Sequence, residues 1–211
     1  MSKILDIFNS EIDIESVAIA NLKSQLTSEV ESAVDALYGI TGKVILVGMG
    51  KSGIIANKIA ATLASTGTPS FFMHPSEAYH GDLGMISKDD AVILISNSGE
   101  TDEILRLIPH IKDNVKLIIS MTGKPDSTLA INSDYNIDIS VEHEACPLQL
   151  APTSSTTATL VMGDAIAVAL MKLRGFSAED FAQYHPGGSL GRRLLTTASS
   201  VMRPVSSNIL L

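Results

Sequence analysis

Five short apolar runs, at residues 43–47, 70–73, 91–95, 116–120 and 135–139, alternate with stretches of helical periodicity, and this alternation restricts the fold more than any other feature of the chain. A strand covered on both faces needs no polar alternation, so each run reads as a strand of a buried parallel sheet. Helices are expected at residues 52–65, 101–112 and 156–173, the second carrying Ile104, Ile108 and Ile111 on one face. With right-handed crossovers this gives an α/β fold, a doubly wound five-stranded parallel sheet flanked by helices. Ahead of it, Ile19, Leu22, Leu26, Val30, Val34 and Leu37 recur at three- and four-residue steps before Gly39. One long N-terminal helix ending near that glycine is expected. Residues 176–184 add a helical turn before a glycine-rich segment at 185–191.

Composition agrees with helices packed on a buried sheet. Hydrophobic residues make up 45% of the 211, yet there are only 4 Tyr, 5 Phe and no Trp, so aliphatic side chains supply the core. A net charge of -8 argues against a nucleic-acid or anionic-membrane surface. A phosphate must then be held locally, by backbone N–H groups, hydroxyls and a lysine. The single cysteine, Cys146, excludes an internal disulfide framework and a cysteine-based zinc cluster. The N-terminus lacks the apolar run of a signal peptide and no stretch of eighteen apolar residues occurs, so a cytoplasmic protein without membrane contact is expected.

In doubly wound sheets ligands sit beyond the carboxyl ends of the strands, and the unusual residues of this chain follow its apolar runs. After the first comes Gly48-Met49-Gly50-Lys51-Ser52-Gly53. Its G-x-G-x-x-G spacing suits a dinucleotide, but the second run ends Phe71-Phe72-Met73-His74-Pro75 without the acidic residue that would hold a ribose. A Walker loop would need glycine at position 45, which is Ile45. There remains a tight turn whose N–H groups, with Gly50, Lys51, Ser52 and Gly53, meet an anion, or else a plain turn with a solvated lysine.

The third run leads into Ser96-Asn97-Ser98-Gly99-Glu100-Thr101-Asp102-Glu103. Ser96, Ser98 and Thr101 beside a helix start suit a phosphate dianion; the plainer alternative is a capping box formed by Asn97 and Glu100. Pro152-Thr153-Ser154-Ser155-Thr156-Thr157 opens the long apolar helix, supplying one cap and several spare hydroxyls that either contact ligand or face solvent. Glu103, Glu144 and His185 are the acid–base candidates, each equally readable as an ordinary surface group. His80, in Tyr79-His80-Gly81-Asp82, is a supporting or purely structural candidate. No close His, Asp and Glu spacing marks a metal site.

Taken together, these loops resemble the sugar isomerase (SIS) domain, and within it the arabinose 5-phosphate isomerases. The likeness rests on residues 48–53, on His80-Gly81-Asp82-Leu83-Gly84, on residues 96–100, on Glu144-Ala145-Cys146-Pro147 running to residues 150–158, and on residues 185–192. The resemblance implies reversible conversion of D-ribulose 5-phosphate to D-arabinose 5-phosphate, the entry to the eight-carbon sugar Kdo of lipopolysaccharide and some capsules. It implies Lys51, Glu103, Glu144 and His185 as catalytic residues and no cofactor. Gly50, Ser52, Gly53, His80, Ser96, Asn97, Ser98, Thr101, Thr153 and Ser154 are then expected to bind substrate. The family implies a homotetramer whose sites are completed by a neighbouring subunit, and members commonly continue into paired CBS domains. Residues 1–200 are accordingly expected to form the SIS domain, and 201–211 look like the opening of a CBS module. Other phosphosugar isomerases, and a sugar-phosphate sensor without turnover, are the alternatives.

Overall fold

The computed structural model describes residues 2–186 and Met202. The glycine-rich segment after Pro186 and the CBS-like tail expected from the sequence lie outside the described residues, Met202 apart.

The chain begins with α1 (Lys3–Asn21), which tightens into a 3₁₀ turn at Leu22–Gln25, and continues with α2 (Ser28–Tyr38). The long N-terminal helix is therefore present, but its expected continuity to Leu37 is broken at Leu26 and Thr27. Thr27 adopts an extended backbone and its hydroxyl accepts from Glu29 N–H at 3.3 Å, so it caps a new helix. Short hydroxyl side chains offer the backbone this alternative, and the capping gain outweighs continuation. Leu26, expected on the buried stripe, is exposed at the break.

Then follow β1 (Val44–Gly48), α3 (Gly50–Ser65), β2 (Ser70–Met73), α4 (Pro75–Tyr79), a 3₁₀ turn at Asp82–Met85 and β3 (Ala91–Ile95). The remainder is α5 (Asp102–Leu105), α6 (Ile108–Ile111), β4 (Leu117–Thr122), α7 (Thr128–Ile131), β5 (Tyr135–Asp138), α8 (Ser154–Leu173) and α9 (Ala178–Tyr184). The single helix expected over 101–112 is two short ones. Pro109 has no N–H to offer the carbonyl of Leu105, so α5 ends there and Pro109 takes an early position of α6.

All five strands are parallel, in the order β2-β1-β3-β4-β5. Alternate residues of the central strands enter opposite layers, which is why β1 and β3 are apolar and buried throughout, whereas the edge strands β2 and β5 are half-buried and β5 carries Asn136 and Asp138. Val44, Leu46 and Ile93 pack against the layer of α2, α3 and α8, whereas Ile45, Val47 and Leu94 pack against α5, α6 and α7. Helix α8 is long and apolar enough to cross a membrane by composition, and here one face of it packs into the core while Val168 and Leu173 are exposed. Ala158, Ala167 and Leu170 are buried, and its mid-helix Asp164 pairs with Lys58 of α3 at 2.6 Å. The chain order reverses between β1 and β3, which lie side by side with Gly48 opposite Ile95. The loops leaving these two residues open the crevice where such sheets bind ligands.

Candidate functional site

The first loop is shaped by close approach. A Cβ at Gly53 would lie 2.6 Å from the Gly48 carbonyl oxygen, and one at Gly48 would lie 2.9 Å from the Ser52 carbonyl carbon. Only glycines let α3 begin this near the strand. Gly50 has φ +57° and open space around it. The preceding Met49 supplies no side-chain cap, so the leading N–H groups of α3 remain to be met by solvent or an anion. Lys51 is exposed beside them and Ser52 is half-buried.

The second loop gathers its hydroxyls. Ser96 Oγ lies 2.8 Å from Thr101 Oγ1 and 3.4 Å from Ser98 Oγ, and it accepts from Gly99 N–H at 3.0 Å. Ser98 Oγ accepts from Glu100 N–H at 3.2 Å. Ser96 is buried, while Asn97 and Ser98 are exposed, so the cluster has a fixed base and an open rim. The capping box contemplated for Asn97 and Glu100 does not form. Glu100 turns away to accept from Thr128 N–H at 2.7 Å, and Thr101 is the N-cap of α5. Asn97 instead accepts from Gly123 N–H through its backbone carbonyl at 3.0 Å.

Glu103 and His80 share a cleft of about 220 Å³, with Pro75, Ser76, Tyr79 and Arg106. Glu103 is exposed in the first turn of α5, and His80 closes α4. The Tyr79 hydroxyl donates to the Arg106 carbonyl at 2.7 Å and its ring meets His110 edge-on, tying α4 to the α5–α6 segment. The cleft thus has fixed walls carrying one carboxylate and one imidazole.

Glu144 is bound tightly at the start of α8. Its Oε2 accepts from Thr153 N–H at 2.7 Å, Thr153 Oγ1 at 3.0 Å and Ser155 N–H at 3.2 Å, while Oε1 accepts from the Ser155 hydroxyl. Burial alone would raise its pKa, but the hydrogen bonds from Ser155 and Thr153 outweigh burial and hold the carboxyl below the usual carboxylate range. Ser154 is fully buried, and its hydroxyl has no partner among the described residues. The post-β5 segment that carries Glu144 begins on the same edge as the Ser96 loop. A Cβ at Gly123 would lie 2.7 Å from Asn97 Oδ1 and 3.5 Å from Ser140 Cα, so the chain after β3, β4 and β5 converges there.

His185 lies on the other edge. Arg174, just past α8, donates to the Leu37 carbonyl at 3.4 Å and stacks over Tyr38, at the end of α2, from which a short loop leads into β1. Phe176 packs on Gly67, immediately upstream of β2. The chain therefore reaches α9 at the amino ends of the strands. There the His185 imidazole stacks on Phe181 at 3.9 Å, and its Nδ1–H donates to the Phe181 carbonyl at 2.9 Å. Within this chain His185 is not brought to the loops that hold Lys51, Ser96, Glu103 and Glu144; its neighbour Tyr184 stacks on Phe176. Two participants escape a reading of the sequence. Ser155 stands there only among spare hydroxyls, although a carboxylate eleven residues upstream is a partner available to it. Glu100 reads only as a local cap. Among the described residues, no three His, Cys, Asp or Glu side chains converge as a metal site.

One five-stranded parallel sheet between two helical layers, with polar loops gathered at its topological reversal, makes this a doubly wound α/β protein, and the strand-end loops are where such sheets bind ligands. The chain belongs to the SIS domain family, which matches residues 37–169. It is 56% identical over 205 residues to the arabinose 5-phosphate isomerase KdsD of Pseudomonas aeruginosa, covering 96% of this chain and 63% of that protein. The KdsD of Escherichia coli K12 is likewise 56% identical over 189 residues, covering 90% of this chain and 58% of the relative. The chain thus spans less than two thirds of the length of these curated relatives. Among solved structures, that of E. coli CFT073 c3406 in complex with arabinose 5-phosphate superimposes with a TM-score of 0.85 at 48% identity, covering 88% of this chain and all of that one.

Proposed function

We propose that the chain is the isomerase domain of an arabinose 5-phosphate isomerase, interconverting D-ribulose 5-phosphate and D-arabinose 5-phosphate. The observation that carries the reading is the cluster of Ser96, Ser98 and Thr101 hydroxyls beside the uncapped start of α3, an anion cradle that needs no basic surface. The identity to KdsD proteins supports the choice of sugar.

Ser96, Ser98 and Thr101, with the Ser52 hydroxyl and the leading amides of α3 at Gly50, Lys51 and Ser52, hold the phosphate, while Gly53, whose N–H donates to the Met49 carbonyl at 3.2 Å, lets the turn close and Asn97, Thr153 and Ser154 shape the surrounding loops. Holding the remote phosphate lets binding energy position the reacting carbons. A base removes a proton from C1 of the ketose, leaving a 1,2-enediolate. The proton returns to C2, while the O1 hydroxyl proton passes to O2, which gives the aldose. Glu103 is assigned the carbon proton transfer because its carboxylate faces a cleft beside His80, whereas Glu144 is already engaged by four donors. Lys51 stabilises the enediolate oxygens, and Glu144 fixes the loop before α8.

The protein is further proposed to act in the cytoplasm as a homotetramer whose sites receive His185 from a neighbour, feeding Kdo formation for lipopolysaccharide or capsule. Two features favour assembly. Ile4, Phe8 and Ile12 of α1 form a stripe at four-residue steps, exposed at 64%, 62% and 61%. His185 sits on the strand edge away from the loops. The test is NMR of purified protein with ribulose 5-phosphate in deuterated water. Solvent deuterium at C2 of arabinose 5-phosphate is expected, and no turnover of any pentose or hexose phosphate would overturn the reading.

A further inference from the structure

We propose that Glu100 is a positioning residue for phosphate binding, a clasp that holds the Ser96–Thr101 loop in its anion-binding shape by fastening it to the start of α7. The inference deepens the sugar-phosphate reading and rests on it.

A carboxylate inside a loop meant for a dianion is a physical conflict, because like charges repel. The structure resolves it by direction. Glu100 Oε1 accepts from the backbone N–H of Thr128 at 2.7 Å, across to the segment that follows β4. That bond and the charge of Lys124 hold the exposed carboxyl below the usual carboxylate range. The clasp does not stand alone. Leu129 N–H donates to the Gly99 carbonyl at 3.1 Å, and Gly123 N–H donates to the Asn97 carbonyl at 3.0 Å. Gly99 has φ +65°, and a Cβ there would collide with the Ser127 side chain, so the loop lies flush on its neighbour. Two backbone bonds therefore fix the loop at Asn97 and Gly99, and Glu100 adds the side-chain fastening on their C-terminal side, next to Thr101. The Glu100 N–H also donates to Ser98 Oγ at 3.2 Å. Releasing the side chain frees the peptide that orients Ser98 and the start of the Thr101 cap. The hydroxyls would survive but lose their common aim.

The experiment compares wild type, Glu100→Ala and Glu100→Gln in two assays: calorimetric binding of inorganic phosphate, and steady-state kinetics on ribulose 5-phosphate. Alanine should weaken phosphate binding and raise KM about tenfold, with a much smaller fall in kcat. Glutamine retains an oxygen for Thr128 N–H and should recover most of the affinity. Circular dichroism with thermal melting identifies a variant that fails to fold; should alanine fail, glutamine still tests the idea, since a loss as large as a serine deletion in the loop would show that charge rather than the clasp matters and overturn it. Alanine that binds phosphate as well as wild type, or better through relieved repulsion, also overturns it. Turnover by wild type with an unaffected alanine variant sinks the clasp alone. Phosphate binding weakened by alanine without turnover in any form sinks the isomerase reading and supports the clasp. A wild type that neither binds phosphate nor turns over sinks both.

Discussion

Ser155 donates to Glu144 twice, from its backbone N–H at 3.2 Å and from its hydroxyl, so one carboxylate holds both the start of α8 and the loop leading to it. The anion also sits where the helix dipole favours it. Glu144→Gln would place an NH₂ group against donors. We expect a loss of about 1–2 kcal/mol in chemical denaturation at neutral pH. The sign of the pH dependence follows from the lowered pKa. A carboxyl whose folded pKa lies below its unfolded value stabilises the fold fully above that unfolded value, near 4.5, and ceases to do so as pH falls through the folded pKa. The variant should therefore differ most from wild type above pH 4.5 and converge with it in more acidic solution. A constant difference down to acid-unfolding conditions would contradict this.

The β1 turn makes a steric prediction. Gly53→Ala puts a methyl group 2.6 Å from the Gly48 carbonyl oxygen, a backbone atom in a buried strand end. Either α3 retreats or β1 shifts, at a cost of about 1–3 kcal/mol. If the start of α3 holds the phosphate as proposed, KM for the sugar phosphate should rise as well. Gly50→Ala is different: φ is +57°, but no atom lies within 4 Å, so only about 1 kcal/mol of backbone strain is expected. Melting curves of the two variants distinguish crowding from strain.

Deleting the Ser96 hydroxyl removes the hub of its cluster, the acceptor for Gly99 N–H and the partner of Thr101. Ser96→Ala should reduce kcat/KM by about tenfold or more, mainly through KM, and weaken competition by inorganic phosphate in proportion. An equal loss with unaltered phosphate competition would move the hydroxyl cluster out of the phosphate site.

How legible these features are in the sequence depends on whether their cause is local. Val44, Ile45, Leu46 and Val47 are buried on both faces of the sheet, so the strand shows in any window, and the strand-end position of the loops follows from it. Thr27 and Pro109 mislead in the same way: apolar spacing continues through both, while one hydroxyl cap and one missing N–H decide the backbone. The Ser96 cluster is visible as an excess of hydroxyls over what a cap needs. What Glu100 and Glu144 bond is not visible. Their partners, Thr128 and Ser155, are 28 and 11 residues away, and a loop carboxylate has the same sequence appearance whether it caps a distant helix or reacts. The edge on which His185 lies depends on the direction of α8, a property of the assembled sheet.

That placement supports the last prediction. Arg174 against Leu37 and Phe176 against Gly67 set the chain before α9 at the amino ends of the strands, whereas Glu103 follows β3 at the carboxyl ends. If His185 takes part in turnover, it must do so in the site of another subunit. Glu103→Ala and His185→Ala should then each lose most activity alone. Dissociated, mixed and reassembled, they should regain turnover, because some sites would join an intact Glu103 from one chain to an intact His185 from the other. Two variants failing within the same subunit's site would gain nothing from mixing. Glu103→Ala mixed with Lys51→Ala serves as that control, since both residues leave the carboxyl edge of one sheet. Recovery in the first mixture and not in the second requires a site built from two chains. Full activity of His185→Ala alone would leave that residue as the stacked C-cap of α9, and an inactive His185→Ala that never regains turnover with Glu103→Ala would contradict a site shared between chains.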